Sequence, residues 1–402
     1  MVTLFRLFLL FSFVALQLTC IVPNDAWGFF GHRRINRMAV FTLPTDMIGF
    51  YKSNIEYITE HAVDPDKRRY ATRHEAVRHY IDIDHWGKYP FEEVPRNWTD
   101  ALMRYTDIYA VSTLGDTTHL FGNGEFARVE FPLEGDENPY RQFFQQHILP
   151  QYYEDIWRID CDSLNALLAT PMDCAEVFAL DRFSEYGILP FNLERVYYGL
   201  VSAFRQHDQR QILRLSAEIG HYVGDAHVPL HTTKNYNGQF TNQVGIHAFW
   251  ESRLPELYAD KTYDFFVGKA SYVDTPNDYF WKMTLESHLL LDSVLLIEQD
   301  LREQFPSDQQ MCYEDRLSRN IRTQCEPFAR AYHERLSGMV ERRMRDAILA
   351  LGSVWYSAWL EAGQPNLDNL TVQELSRRER RILEEEKRRI ELGEAKGRKH
   401  AG

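Results

Sequence analysis

Apolar residues recur at steps of three and four along most of the chain, the spacing that turns one face of an α-helix toward a core. This pattern predicts helices over "NLERVYYGLVSAFRQ" (Asn192 to Gln206), "RQILRLSAEIGHYVGDAH" (Arg210 to His227), "YFWKMTLESHLLLDSVLLIEQDLREQF" (Tyr279 to Phe305) and a long stretch from Phe328 to Leu360. Strict alternation, the mark of a half-buried strand, is confined to short candidates near Phe126 to Phe131. The expected fold class is all-α. Gly363 to Asp368 reads as a linker, and the tail beyond it, "RRERRILEEEKRRIELGEAKGRK", as a solvated helix.

The first residues change the picture of where the protein works. Arg6 precedes an apolar run from Leu7 to Leu16, and Ala26 is a small residue at which a signal peptidase can cut. The run is shorter than the roughly 20 apolar residues of a membrane span. Cys20 follows Gln17, Leu18 and Thr19, a poor match to a lipoprotein site, so export with cleavage is expected over anchoring. Cys161, Cys174, Cys312 and Cys325 make an even set in a chain read as exported, and two disulfides are expected. Three connectivities exist, and the two equal spacings of thirteen favour two local loops.

With 402 residues, 44% of them hydrophobic, the chain can bury a large core. Its formal net charge of -13 lacks the basic surface of a general nucleic-acid binder. The tail from Ser376 onward carries ten Lys or Arg against six Asp or Glu, so the body is more acidic still.

The chemistry concentrates in one region. In "HYVGDAHVPLH", His221 and Asp225 are four apart and share a helix face, while His231 lies beyond Pro229, where the chain can turn a third donor back toward them. "HAFWE" repeats the pair with His247 and Glu251. One such residue is more often a surface contact or a satisfied core group; five within thirty-one residues suit a divalent zinc site of nitrogen and oxygen donors. His227, two residues from Asp225, points to another face and is expected to be supporting or structural. Upstream, "HEAVRH" imitates the zinc-protease signature, but His74 and His79 are five apart, about 140° around a helix, and cannot both face one metal.

Taken in order, Trp27, His32, Asp64, His79, His221, Asp225, His231, His247 and Glu251 resemble the superfamily of zinc-dependent phospholipases C and single-strand-specific nucleases, all-helical exported enzymes that hold three zinc ions. The resemblance covers the blocks Trp27 to His32, Asp64 to Asp84 and Glu218 to Glu251, about 15% of the chain. It implies that Asp64, His79, His221 and Asp225 hold one zinc, with Asp225 bridging; that His231, His247 and Glu251 hold the second; and that Trp27, through its free α-amino group and carbonyl oxygen, joins His32 and Asp225 on the third. Asp64 would also accept or orient a proton. By this reading residues 1–26 are a signal peptide, 27–362 a phosphodiesterase domain with an insertion at about 85–189, and 363–402 the linker and tail.

The resemblance implies an exported zinc-dependent phosphodiester hydrolase, expected to act on phospholipid with transient membrane-surface contact. Glu251 and the short gap from His231 to His247 look like the phospholipase branch; Asn237-Gly238-Gln239 stands where the nuclease branch has Gly-Gly-Asn. The close spacing of Trp27 and His32 looks like the nuclease branch, whose substrate is single-stranded nucleic acid. A third alternative is a metal-stabilised envelope binding protein without catalysis. No G-x-S-x-G elbow or P-loop competes.

Overall fold

The computed structural model describes residues 29–69, 71–122, 138–154, 156–168, 170–316, 319–372 and 377–392. The expected signal peptide, Trp27 and the strand candidate near Phe126 to Phe131 lie outside them. The fold is predominantly helical. Its centre is a hairpin of two helices, α4 (Leu189–Arg205) and α5 (Gln209–Ala226), joined by a turn in which the Asp208 carboxylate accepts from the Arg210 and Gln211 amides. From Ser216 to Ala226 every residue of α5 is buried, so this helix runs through the interior rather than over it.

Helix α1 (Phe29–Ala39) crosses α5, burying His32, Ile35, Asn36 and Ala39, positions three and four apart. Glycine makes the crossing possible. A β-carbon on Gly220 would run into Asn36, and one on Gly224 would stand 2.7 Å from His32 Nδ1. The Asn36 amide uses the closeness, donating to the Ile58 and Ala217 carbonyls at 3.1 and 3.0 Å. Helix α7 (Met339–Glu361) closes this first core, with Trp355 stacked on Tyr51 and donating to the Ser216 carbonyl at 3.1 Å.

A second core corrects the all-α expectation. Within the expected insertion, β1 (Thr106–Val111), β2 (Thr117–Phe121), β3 (Trp157–Ile159) and β4 (Glu176–Asp181) form an antiparallel sheet in the order β2-β1-β4-β3. Thr106, Ile108 and Ala110 face inward from β1, while Tyr109 and Val111 on its outer face are half-buried. Apolar side chains on both faces blur the alternation that would have marked the strand. Cys161–Cys174 is a disulfide beside this sheet. A second hairpin, β5 (Met311–Arg316) with β6 (Arg319–Gln324), carries the disulfide Cys312–Cys325 at the edge of a third core built around Phe249, Phe328 and Tyr332. Both bridges are the local loops expected, and they are compatible with an exported protein.

Two predicted helices are each broken in two. Tyr279 to Phe305 divides into α6 (Pro276–His288) and a helix over Leu291–Gln304; Phe328 to Leu360 divides at Ser337 and Gly338, both with positive φ. The expected linker is tied down: the Trp359 indole donates to the Pro365 carbonyl at 2.9 Å, and Leu367 is buried against the first core. The tail is helical over Arg377–Leu392. Among the described residues, no helix is long and apolar enough to cross a membrane.

Candidate metal centre

The three cores meet at one cluster of histidines and carboxylates. His221 and Asp225 come from α5, inside the first core. His79 ends a 3-10 turn (Val77–His79), just before Ile81 and Ile83 of the second core. His231 lies on the 3-10 turn Pro229–Thr232, beside Leu230 of the third core. His247 and Glu251 stand on a short helix that widens into a π turn over Phe249–Arg253, a distortion common at functional sites.

The donor atoms converge closely. Asp225 Oδ2 lies 3.0 Å from His79 Nδ1 and 3.3 Å from His221 Nε2, while its Oδ1 lies 3.5 Å from His32 Nε2 and 3.7 Å from His231 Nε2. Glu251 Oε2 is 2.7 Å from His247 Nε2 and 3.4 Å from His231 Nε2, with Oε1 3.6 Å from His32 Nε2. Two carboxylates thus connect every histidine of the cluster. Four donors at about 2.0–2.1 Å from a tetrahedral cation stand roughly 3.3–3.4 Å apart, and the separations here bracket that value.

Three imidazoles are oriented by backbone carbonyls. The Nδ1–H groups of His221, His231 and His247 donate to the carbonyls of Ala62, His79 and Tyr236 at 2.9, 2.5 and 3.1 Å. In the neutral ring each Nε2 then turns its lone pair to the cluster, the arrangement of a metal-binding histidine held from behind. His79 differs, turning Nδ1 inward.

The electrostatics explain why a cation suits the site. Burial works to raise Asp225 and Glu251, yet the neighbouring histidines hold both well below the usual carboxylate range. Burial works to lower His221 and His231, but Asp225 beside them pushes each up to about 9. Asp66, Asp225 and Glu251 place three carboxylates in one largely desolvated patch, which costs several kcal/mol unless positive charge accompanies them. Three groups can hold a metal ion: His32 with His221 and Asp225; Asp66 with His79 and His221; His231 with His247 and Glu251.

Of the residues expected from sequence, the structure brings together His32, His79, His221, Asp225, His231, His247 and Glu251. Asp64 is corrected. Its carboxylate is 31% exposed and bound by Lys67 at 2.8 Å and His61 at 2.5 Å, a partnership that, against the pull of burial, keeps it below the usual range. Two residues on, beyond Pro65 in α2 (Asp64–Arg68), Asp66 turns inward, with Oδ1 3.9 Å from His221 Nε2 and 4.0 Å from His79 Nδ1. Asp64 has His61 and Lys67 three residues to either side, a local charge pattern that already satisfies it on the outer surface.

His227 donates through Nδ1 to the Val223 carbonyl at 2.7 Å, outside the three groups. His74 lies against Tyr152 and Tyr153 in a separate cleft of about 350 Å³, as its spacing from His79 requires. Phe121, an aromatic of the insertion, is core. No family model matches the chain, and no curated protein matches it.

Proposed function

We propose that this chain is an exported zinc-dependent phosphodiester hydrolase of the phospholipase C type. The observation that carries the reading is the sharing of Asp225 and Glu251: each offers its two oxygens to different histidines, so either carboxylate could serve two adjoining cations. A structural zinc site is closed by four protein ligands, whereas a catalytic one keeps a position for water or substrate. Zinc bound there would supply a water of lowered pKa and positive charge for the oxygens of a phosphate diester.

The protein's own groups divide the work. Asp66, His79, His221 and Asp225 would hold one ion; His231, His247 and Glu251 a second; His32 and Asp225, joined by Trp27, a third. The backbone carbonyls of Ala62, His79 and Tyr236 hold a ring proton on Nδ1 of three histidines and aim each Nε2 at the cluster. Asp66 would take the place foreseen for Asp64: burial works to raise it, but Arg69 at 3.2 Å helps hold it below the usual carboxylate range, a charged group able to orient a proton.

Glu251 and the His231 to His247 gap favour phospholipid, whereas the five-residue step from Trp27 to His32 favours single-stranded nucleic acid. The test offers the zinc-loaded protein phosphatidylcholine, phosphatidylinositol, single-stranded DNA and RNA. Release of a phosphorylated head group is expected. Cleavage of nucleic acid alone would move the assignment to the nuclease branch, and metal binding without hydrolysis of any substrate would support a scaffold.

A further inference from the structure

Behind His79 lies a carboxylate that the metal reading leaves unused. Glu75, four residues before His79 in "HEAVRH", is buried, and its Oε1 faces His79 Nε2 at 3.9 Å. Arg78 reaches Glu75 Oε2 at 2.7 Å and Arg68 at 3.4 Å, while the Tyr222 hydroxyl donates to Oε1. Because His79 turns Nδ1 toward Asp225 and His221, a neutral ring that lends this lone pair carries its proton on Nε2. That nitrogen is buried with no hydrogen-bond partner among the described residues, a costly state for an N–H group.

We propose that Glu75 is a positioning residue that accepts the Nε2–H of His79 and fixes this histidine as a metal donor through Nδ1. The gap is about 1 Å longer than an N–H···O bond, within reach of a small ring rotation. The arrangement differs from that of His221, His231 and His247, whose rings rest on neutral carbonyls; a carboxylate behind the ring makes its donor nitrogen more basic. The two arginines and Tyr222 hold Glu75 in place, so that it serves His79 rather than swinging to the cation itself.

This inference rests on the metal reading of the site, and cobalt(II) tests the two separately. The full-length protein, stripped of metal, is titrated with cobalt against a competing chelator while its visible bands are recorded. Glu75→Gln is expected to weaken one binding step about 10- to 100-fold and to shift the bands. Glu75→Asp keeps the charge that Arg68 and Arg78 require but withdraws the carboxylate from His79, and should weaken the same step even if Glu75→Gln fails to fold. Glu218→Gln removes the other carboxylate on Arg68, at 2.8 Å, without touching His79, and should leave affinity and bands unchanged. Wild-type affinity in both Glu75 variants, or an equal loss in Glu218→Gln, would overturn the positioning role while leaving the metal site standing. Wild-type protein that takes up no cobalt would overturn the metal reading along with it.

Discussion

Asp64 and Asp66 differ by two positions and by everything that matters to a ligand. One is matched on the surface by Lys67 and His61; the other faces His79 and His221 from within. Asp66→Asn is therefore expected to lower bound metal by at least one ion, and Asp64→Asn to leave it unchanged, as read by elemental analysis of the purified variants. The same measurement separates His79→Ala, which should lose metal, from His74→Ala, which should not. His221→Ala and Asp225→Asn should each remove at least one ion and abolish hydrolysis, since Asp225 touches four histidines. The histidine and carboxylate pairs were legible in the sequence because the helix period fixes which neighbours share a face. The choice between two acids flanking Pro65 was not, because it depends on where α2 meets α5, and no local pattern encodes that meeting.

At the scale of elements, the interior helices were legible and their ends less so. Unbroken apolar periodicity across Leu289 to Leu291 hid the turn between α6 and its successor, and the periodicity from Phe328 to Leu360 likewise ran past Gly338, whose positive φ ends one helix before the next begins. The sheet was missed because its outer face mixes Tyr109, Val111, Phe178 and Leu180 with Asp107 and Glu176, which breaks a strict apolar and polar alternation. The crossing of α1 over α5 yields a sharp expectation. Gly224→Ala places a methyl group against His32 Nδ1, and should cost about 1–3 kcal/mol of stability while displacing a metal donor; thermal unfolding with metal analysis reads both effects. The Cys161–Cys174 bridge should behave oppositely. Replacing both cysteines by serine is expected to cost about 3 kcal/mol through the loop it closes, with metal content intact, because none of the donors lies on the sheet.

On the scale of the whole molecule, the cluster is where three separately packed cores touch, so cations held there would act as a joint between them. Ligands that bind only the folded state stabilise it by mass action, about 4 kcal/mol at a thousandfold excess over Kd, and chelation is accordingly expected to lower the melting temperature. The opening stretch belongs to this scale too. His32 stands three residues into α1 with its Nε2 between Asp225 and Glu251, and the residues before Phe29 lie outside those described. If the Trp27 amine is the donor that completes this position, a chain that keeps Ala26 should bind one ion fewer than a chain beginning at Trp27, because a peptide nitrogen has no basic lone pair to offer. The most direct test of the account is a zinc titration of chelator-stripped protein with phosphatidylcholine hydrolysis followed at each addition. No hydrolysis is expected without metal, followed by a rise that reaches its plateau only when all the sites are filled. Full zinc occupancy with no hydrolysis of phospholipid or nucleic acid, or hydrolysis indifferent to the chelator, would contradict it.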